Sequence, residues 1–372
     1  MKINKILDPK LIVADTEHIK KGDTLVSIKN LVVKFSVRNK ILTAIRNVSL
    51  DIKKGEILAI VGESGSGKSV LTKCLIGLID KNEIIDQGDI LYSNVNLAKI
   101  KNPKDWYQIR GKKISIVFQD PLTSLNPLRK IGSQLSETIR LHRGFNKVEA
   151  KAEAIRLLKK VGIPNAEKRY DDYPFQYSGG MRQRVVIAIA LASAPDILIC
   201  DEPTTALDVT IQAQILKLIE ELKEEFGFTV IFITHDLAVV AEIADRVAVM
   251  YAGKIVEYGS ANDIFYDPRH PYTWSLLSSL PQLGQKGEKL YSIAGTPPSL
   301  FEEIKGDAFA PRNKYAMAID YVKEPPLIKV SDSHYAATWL LDKRAPKAER
   351  PKIISEISDR VAKVYSGEKD NE

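Results

Sequence analysis

The chain has 372 residues, enough for two or three structural units at roughly 150 residues each. Its 44% hydrophobic and 27% charged residues, with 21 Gly and 18 Pro, exclude disordered and collagen-like classes. A surplus of 54 Lys and Arg over 47 Asp and Glu gives a net charge of +7, thin over this length. The two cysteines, Cys74 and Cys200, lie far apart in apolar stretches and can build neither a disulfide framework nor a CxxC zinc site.

Residues 1–24 are polar, without a clear period, and read as an extension before the fold. Lys2, Lys5, Asp8 and Lys10 interrupt any signal-peptide core, so the chain is expected to stay in the cytoplasm. Leu25–Phe35 and Ile41–Ile52 are β-branched runs flanking the polar turn Arg38-Asn39-Lys40, the pattern of an antiparallel pair. A short apolar strand, Glu56–Val61, then runs into Gly62-Glu63-Ser64-Gly65-Ser66-Gly67-Lys68-Ser69, and an amphipathic helix is expected over Val70–Leu78. Strand, G-x-x-x-x-G-K-[ST] and helix in this order make a P-loop. Its glycines let consecutive N–H groups face phosphates, Lys68 adds positive charge at the β- and γ-phosphates, and the Ser69 hydroxyl can ligate Mg²⁺.

Ile114–Phe118, Ile197–Cys200 and Thr229–Thr234 are further apolar runs too short for helices, expected as buried parallel strands. Between Pro121 and Gln176 only helix-like segments occur, with Val148, Ala152, Ile155 and Leu158 on one expected face before Gly162; this is read as a helical insertion. Tyr177-Ser178-Gly179-Gly180-Met181-Arg182-Gln183-Arg184 is a small-residue turn leading into the apolar helix Val185–Ala194, a second anion site at a helix N-terminus. That apolar run is far short of the ~20 residues that span a bilayer, so a membrane role is expected to be peripheral. One chain with two phosphate cradles suggests nucleotides sandwiched between two subunits.

The strand ending at Cys200 delivers Asp201 to the Mg²⁺ shell and Glu202 to the attacking water as general base. Ile211, Ile215, Leu218, Ile219, Leu222 and Phe226 mark one face of a helix that Gly227 stops. Arg246–Tyr258 reads as a hairpin turning at Ala252-Gly253, and a Pro-rich region follows. Alternating strands and helices make the fold class α/β.

With Ser-Gly-Gly in place beside a P-loop, residues 25–280 resemble the ATP-binding subunits of ABC transporters. The resemblance implies a parallel sheet plus an N-terminal antiparallel sheet in an ATPase domain over 25–260. It also implies a helical subdomain at about 121–184 and a small C-terminal region over 261–372. It implies that Phe35 stacks on adenine, that Val70 completes the P-loop's nucleotide contacts, and that Gln119 senses Mg²⁺ or water. Ala206-Leu207-Asp208 follows the carboxylates in order, and His235 is implied to reach the γ-phosphate. Catalysis is thus expected from Glu202, His235 and Gln119, with Mg²⁺ at Ser69, Gln119 and Asp201. Ser178, Gly179, Gly180, Gln183 and Asp208 are expected to contact ATP.

Met181, Gln119-Asp120-Pro121-Leu122-Thr123-Ser124-Leu125-Asn126-Pro127 and Asp267-Pro268-Arg269-His270-Pro271-Tyr272-Thr273 resemble the oligopeptide and dipeptide importers, with nickel importers as close relatives. That branch implies a second homologous ATPase, two transmembrane permeases and an extracellular peptide-binding protein as partners, and a peripheral position on the cytoplasmic face of the cell membrane. Many members hold an iron–sulfur cluster on four tail cysteines; here Asp307, Asn313, Asp320 and Thr338 stand in their places, and no iron–sulfur cluster is expected. The tail is then expected to rest on Phe309, Tyr315, Met317, Leu327 and Trp339, with Asp307 and Asp320 exposed and solvated. A soluble ABC ATPase acting on nucleic acid or ribosomes would suit the charge, but there is one P-loop, no long heptad insertion and no CxxC hook, so nucleic acid is not expected as a partner. A P-loop kinase or GTPase would have no purpose for Ser178-Gly179-Gly180.

Overall fold

The computed structural model describes residues 14–205, 207–280 and 293–356. Strands β1 (Thr24–Val37) and β2 (Lys40–Lys53) form the expected antiparallel pair, turning at Arg38 and Asn39, both with positive φ as a tight hairpin requires. β3 (Ile57–Val61) enters a second sheet with all its residues buried. Helix α1 (Lys68–Leu75) follows, starting at the P-loop lysine and stopping before Gly77, earlier at both ends than its apolar spacing indicates. The chain then returns to the first sheet as β4 (Glu83–Tyr92) and β5 (Val95–Asn96), giving the order β2-β1-β4-β5. The sequence pattern does not announce β4, because Glu83 is buried while Ile84 is exposed.

The larger sheet adds β6 (Ile114–Val117), β7 (Ile197–Asp201), β8 (Thr229–Thr234), β9 (Arg246–Tyr251) and β10 (Lys254–Ser260). Its order is β10-β9-β3-β8-β7-β6, parallel except for the β9–β10 hairpin, with the short tail strands β11 (Ile328–Lys329) and β12 (Tyr335–Ala336) outside β10. Strand alternation splits the core in two. Ile197, Ile199, Ile231 and Ile233 pack with the antiparallel sheet and α1, whereas Leu198, Cys200, Val230 and Phe232 face the helices. Both cysteines are free and buried, and burial pushes the Cys74 thiol up to about 12.

Those helices are α2 (Pro121–Ser124), α3 (Ile131–Arg143), α4 (Lys147–Lys160), α5 (Ala166–Arg169), α6 (Gly179–Leu191) and α7 (Val209–Phe226). The expected face of α4 is rotated: Ala150, Ala154, Leu157 and Leu158 are buried, Val148 and Ala152 are exposed and Ile155 is half-buried. Asn146 sets this phase by capping α4 in a capping box with Glu149, which places Val148 in the first turn toward solvent.

Helices α8 (Leu237–Ile243), α9 (Ala261–Tyr266) and α10 (Pro271–Ser278) share a third core with the tail. Phe309 is buried there with Tyr315 half-buried against it, Trp339 is buried and Met317 half-buried elsewhere in the tail, but Leu327 is exposed, contrary to expectation. The expectation of solvated tail carboxylates is also overturned: Asp307 and Asp320 are buried, as are Asn313 and Thr338. They are buried because they serve the backbone. Asp307 accepts the Phe309 N–H (3.0 Å) and Asp320 accepts the Met317 N–H (2.6 Å), so each carboxylate ties down a turn. Among the described residues, no helix is long and apolar enough to cross a membrane.

Candidate active site

The carboxyl ends of β3, β6, β7 and β8 converge, and the expected catalytic residues stand there, where ligands of open α/β sheets bind. The P-loop wraps back over the sheet at Gly62: its φ is +150°, and a Cβ would lie 2.0 Å from the Met250 carbonyl oxygen. No other residue fits this approach. At Gly65 (φ +77°) a Cβ would meet nothing within 4 Å, so the loop is open on its outer side. The buried Ser66 hydroxyl has no hydrogen-bond partner among the described residues. An open turn with an unspent donor at a helix start suits phosphate oxygens.

Lys68 is buried, and its Nζ donates to the carbonyls of Gly62 (2.7 Å) and Glu63 (3.0 Å). Burial lowers its pKa, against the opposing pull of Glu202, Asp201 and Glu63. The Ser69 hydroxyl donates to Asp201 Oδ1 at 3.1 Å, and burial raises the Asp201 pKa. A hydroxyl and a carboxylate side by side are the hard oxygen donors that Mg²⁺ takes together with phosphate oxygens.

Glu202 leaves β7 in the left-handed region (φ +49°), strained for a residue with a Cβ. Its N–H is secured by the Ile233 carbonyl (3.0 Å) in β8. Three groups from three segments then hold its carboxylate: Gln119 Nε2 (3.2 Å) and Thr205 Oγ1 (3.1 Å) on Oε2, and His235 Nδ1 (3.2 Å) on Oε1. Gln119, Glu202 and His235 are thus brought together as expected. Thr205 is the residue sequence reasoning missed; its signal was a hydroxyl three residues beyond the base, within the turn.

Ser178 caps α6 by accepting the Met181 N–H (3.3 Å), and Asp208 caps α7 by accepting the Ile211 N–H (2.9 Å). The two caps are neighbours, since a Cβ on Gly180 would lie 2.7 Å from Ile211 Cγ2 and Arg184 Nη2 bonds Gln214 Oε1 at 3.0 Å. Gln183 is corrected: it is fully buried within the cassette, so its side chain has no open path to a nucleotide. Among the described residues, Ser178, Gly179, Gly180 and Asp208 make no hydrogen bond to the P-loop or Glu202. Phe35 and Val70 are half-buried on the core under the antiparallel sheet, Phe35 opposite Leu42 and Glu83. Ala206 lies outside the described residues.

Comparison with known proteins shows the family. The ABC transporter family matches residues 45–205, and the oligopeptide/dipeptide transporter C-terminal region matches residues 256–319. The chain is 59% identical over 342 residues to the oligopeptide transport ATP-binding protein AmiE of Streptococcus pneumoniae, covering 92% of this chain and 96% of that protein. It is 52% identical to the oligopeptide transport ATP-binding protein OppD of Bacillus subtilis, again over 92% and 96% of the two chains. Among solved structures, a dimeric ATP-binding cassette in a post-hydrolysis state bound to ADP and Pi is similar, with a TM-score of 0.57 and 32% identity, covering 63% of this chain and 98% of that one. A P-loop, a carboxylate cluster and a separate Ser-Gly-Gly cap on one cassette, with such relatives along nearly the whole length, mean that the chain belongs to the ATP-binding proteins of the oligopeptide and dipeptide branch of the ABC transporter family.

Proposed function

We propose that this chain is the ATP-binding and ATP-hydrolysing subunit of an oligopeptide or dipeptide importer. The observation that carries the reading is the Glu202 carboxylate, fixed by Gln119, Thr205 and His235 and within the field of the P-loop lysine. With ATP on the loop, Lys68 exchanges its bonds to the Gly62 and Glu63 carbonyls for β- and γ-phosphate oxygens, which supplies the charge partner that burial demands. Glu202 takes the proton of the attacking water. Gln119 and His235 keep that carboxylate from turning away. Ser69, Asp201 and Gln119 are the residues that would hold Mg²⁺, which would supply positive charge against the phosphate oxygens.

The signature turn Ser178–Gly180 and Asp208 would complete the site of a second, homologous ATPase, with Phe35 stacking on adenine in this chain's own site. Two permease subunits would hold the pair at the cytoplasmic face of the membrane, and an extracellular binding protein would deliver the peptide. For the permease contact we propose the groove of about 660 Å³ lined by Ile76, Leu78, Ile116, Phe118, Val186 and Ile189. Its rim residue Phe118 directly precedes Gln119, so a permease segment seated there would act on the group that holds Glu202.

The test is reconstitution. Proteoliposomes with the permeases, both ATPases and the binding protein are expected to import a labelled peptide with ATP consumption stimulated by that peptide. Hydrolysis indifferent to peptide would refute the assignment.

A further inference from the structure

Glu63, inside the P-loop, is held by elements that lie beyond the β9–β10 hairpin. Its N–H donates to the Tyr272 hydroxyl (2.8 Å) on α10, and its carboxylate takes both arms of one guanidinium from the tail: Arg312 Nη1 to Oε2 at 2.8 Å and Nη2 to Oε1 at 3.1 Å. This is the forked arrangement in which arginine binds a carboxylate most strongly. The Arg312 side chain is only 6% exposed. Its Nε donates to the Ala294 carbonyl (2.9 Å) and Nη1 also reaches the Tyr251 hydroxyl (3.1 Å). Tyr251, Tyr272 and Phe309 pack around it with ring centroids 4.5–5.3 Å apart. A guanidinium placed so deep among aromatic rings must be fully bonded to be tolerated, and Glu63 is its one carboxylate partner among the described residues.

The other side of Glu63 faces the nucleotide machinery, since its carbonyl accepts from Lys68 Nζ at 3.0 Å. In the ATP-free chain an unbroken line of polar contacts therefore runs from the tail through Glu63 to Lys68. The clamp on the Glu63 N–H and carboxylate, which uses no Lys68 contact, still holds the loop once Lys68 turns to phosphate. We infer that Arg312 is a positioning residue for ATP: by clamping Glu63 it sets the P-loop and Lys68, and so makes nucleotide affinity depend on the C-terminal region. The inference rests on the ATP-binding role proposed above. It adds that the tail, which contributes none of the expected phosphate contacts, completes the nucleotide site of its own chain.

The experiment uses the full chain, titrated with a fluorescent ATP analogue and Mg²⁺, and the reconstituted transporter for steady-state kinetics. Arg312→Met is expected to weaken nucleotide binding about tenfold, the scale of losing one charge-assisted pair, and to raise KM for ATP by a similar factor with kcat changed less than about twofold. Arg312→Lys should recover part of the affinity, because a point charge replaces the fork incompletely. The more exposed Glu63→Gln tests the same contact from the other side, and adding it to Arg312→Met should cost little more than either change alone. Wild-type affinity in Arg312→Met, or equal losses in Arg312→Met and Arg312→Lys with kcat and KM both degraded, overturns the inference. Lys68→Ala separates the two levels. If it abolishes binding while Arg312→Met does nothing, only the positioning role fails; if Lys68→Ala also binds normally, the ATP site itself is misassigned.

Discussion

Glu202 can serve as a base only if its carboxylate stays where the water will be, and three hydrogen bonds from Gln119, Thr205 and His235 keep it there. Glu202→Gln preserves shape and hydrogen bonding but removes the proton acceptor, so phosphate release by the assembled transporter should slow by on the order of 10²–10⁴-fold with ATP binding retained. Near-normal turnover would place the base elsewhere. Glu202 was legible in the sequence because it follows a short apolar strand beside a P-loop, whereas Gln119 and His235 were named only by the resemblance to the family. Thr205 was not legible, because its hydroxyl reaches the carboxylate only through the left-handed turn at Glu202, and a hydroxyl three residues on does not by itself reveal that turn. Gln183 misled for the converse reason: it carries the polar side chain of a nucleotide ligand but lies on the side of α6 that packs inward. Asp307 shows the same limit in the tail. Burial raises its pKa from the ordinary 3.8 to about 6, and the Phe309 N–H only partly offsets this. Between those values the folded chain holds a proton that the unfolded chain has released, so stability falls as pH rises through the window and the cost is complete above about 6. Asp307→Asn keeps the oxygen that accepts from Phe309 and removes the charge. It should raise stability at pH 8 by on the order of 3 kcal/mol and leave it nearly unchanged at pH 4. Equal shifts at both pH values would rule out ionisation as the cause.

Elements with a clean period were readable in advance, and those whose pattern is set by a cap or a partner strand were not. α7 buries Ile215, Leu218, Ile219 and Leu222, four of the six residues that marked its face. α4 turned away from its expected face because the Asn146–Glu149 box fixes where its first turn begins. β4 escaped notice because its ladder with β1 supplies the order that its alternation lacks, with Glu83 inside and Ile84 outside. The same distinction bears on the groove between α1, β6 and α6: Leu78, just past the end of α1, lines it while remaining 39% exposed. A charge placed there costs the isolated chain little, since the site already meets water. Leu78→Glu is therefore expected to leave ATP affinity and melting temperature unchanged while the chain is lost from detergent-extracted membranes carrying the permeases, because an unpaired carboxylate would be buried in the contact. Full retention on those membranes would mean that the permeases seat elsewhere.

In the whole molecule, the P-loop with Asp201, Glu202, Gln119 and His235 forms one cluster, and the caps Ser178 and Asp208 form another that is joined to it by no hydrogen bond among the described residues. A single chain thus presents a phosphate cradle and, apart from it, a second helix start whose N–H groups suit an anion. The two glycines of the signature separate this arrangement from a merely structural turn. On Gly180 a Cβ would press to 2.7 Å against Ile211 Cγ2, so a larger residue there disturbs the chain itself. Gly179 is different: a Cβ would meet nothing within 4 Å, and its φ lies outside the left-handed region, so the isolated chain has both the space and the backbone for a side chain. Gly179→Leu should therefore leave melting temperature and ATP affinity at this chain's own P-loop unchanged, while Gly180→Leu lowers the melting temperature. If the open space over Gly179 is where the partner's nucleotide sits, the leucine fills it on assembly, and ATP turnover by the complete transporter should fall at least about tenfold, as when a transition-state donor is displaced. Normal turnover by the complex containing Gly179→Leu would show that nothing docks over the signature and that each chain hydrolyses ATP alone.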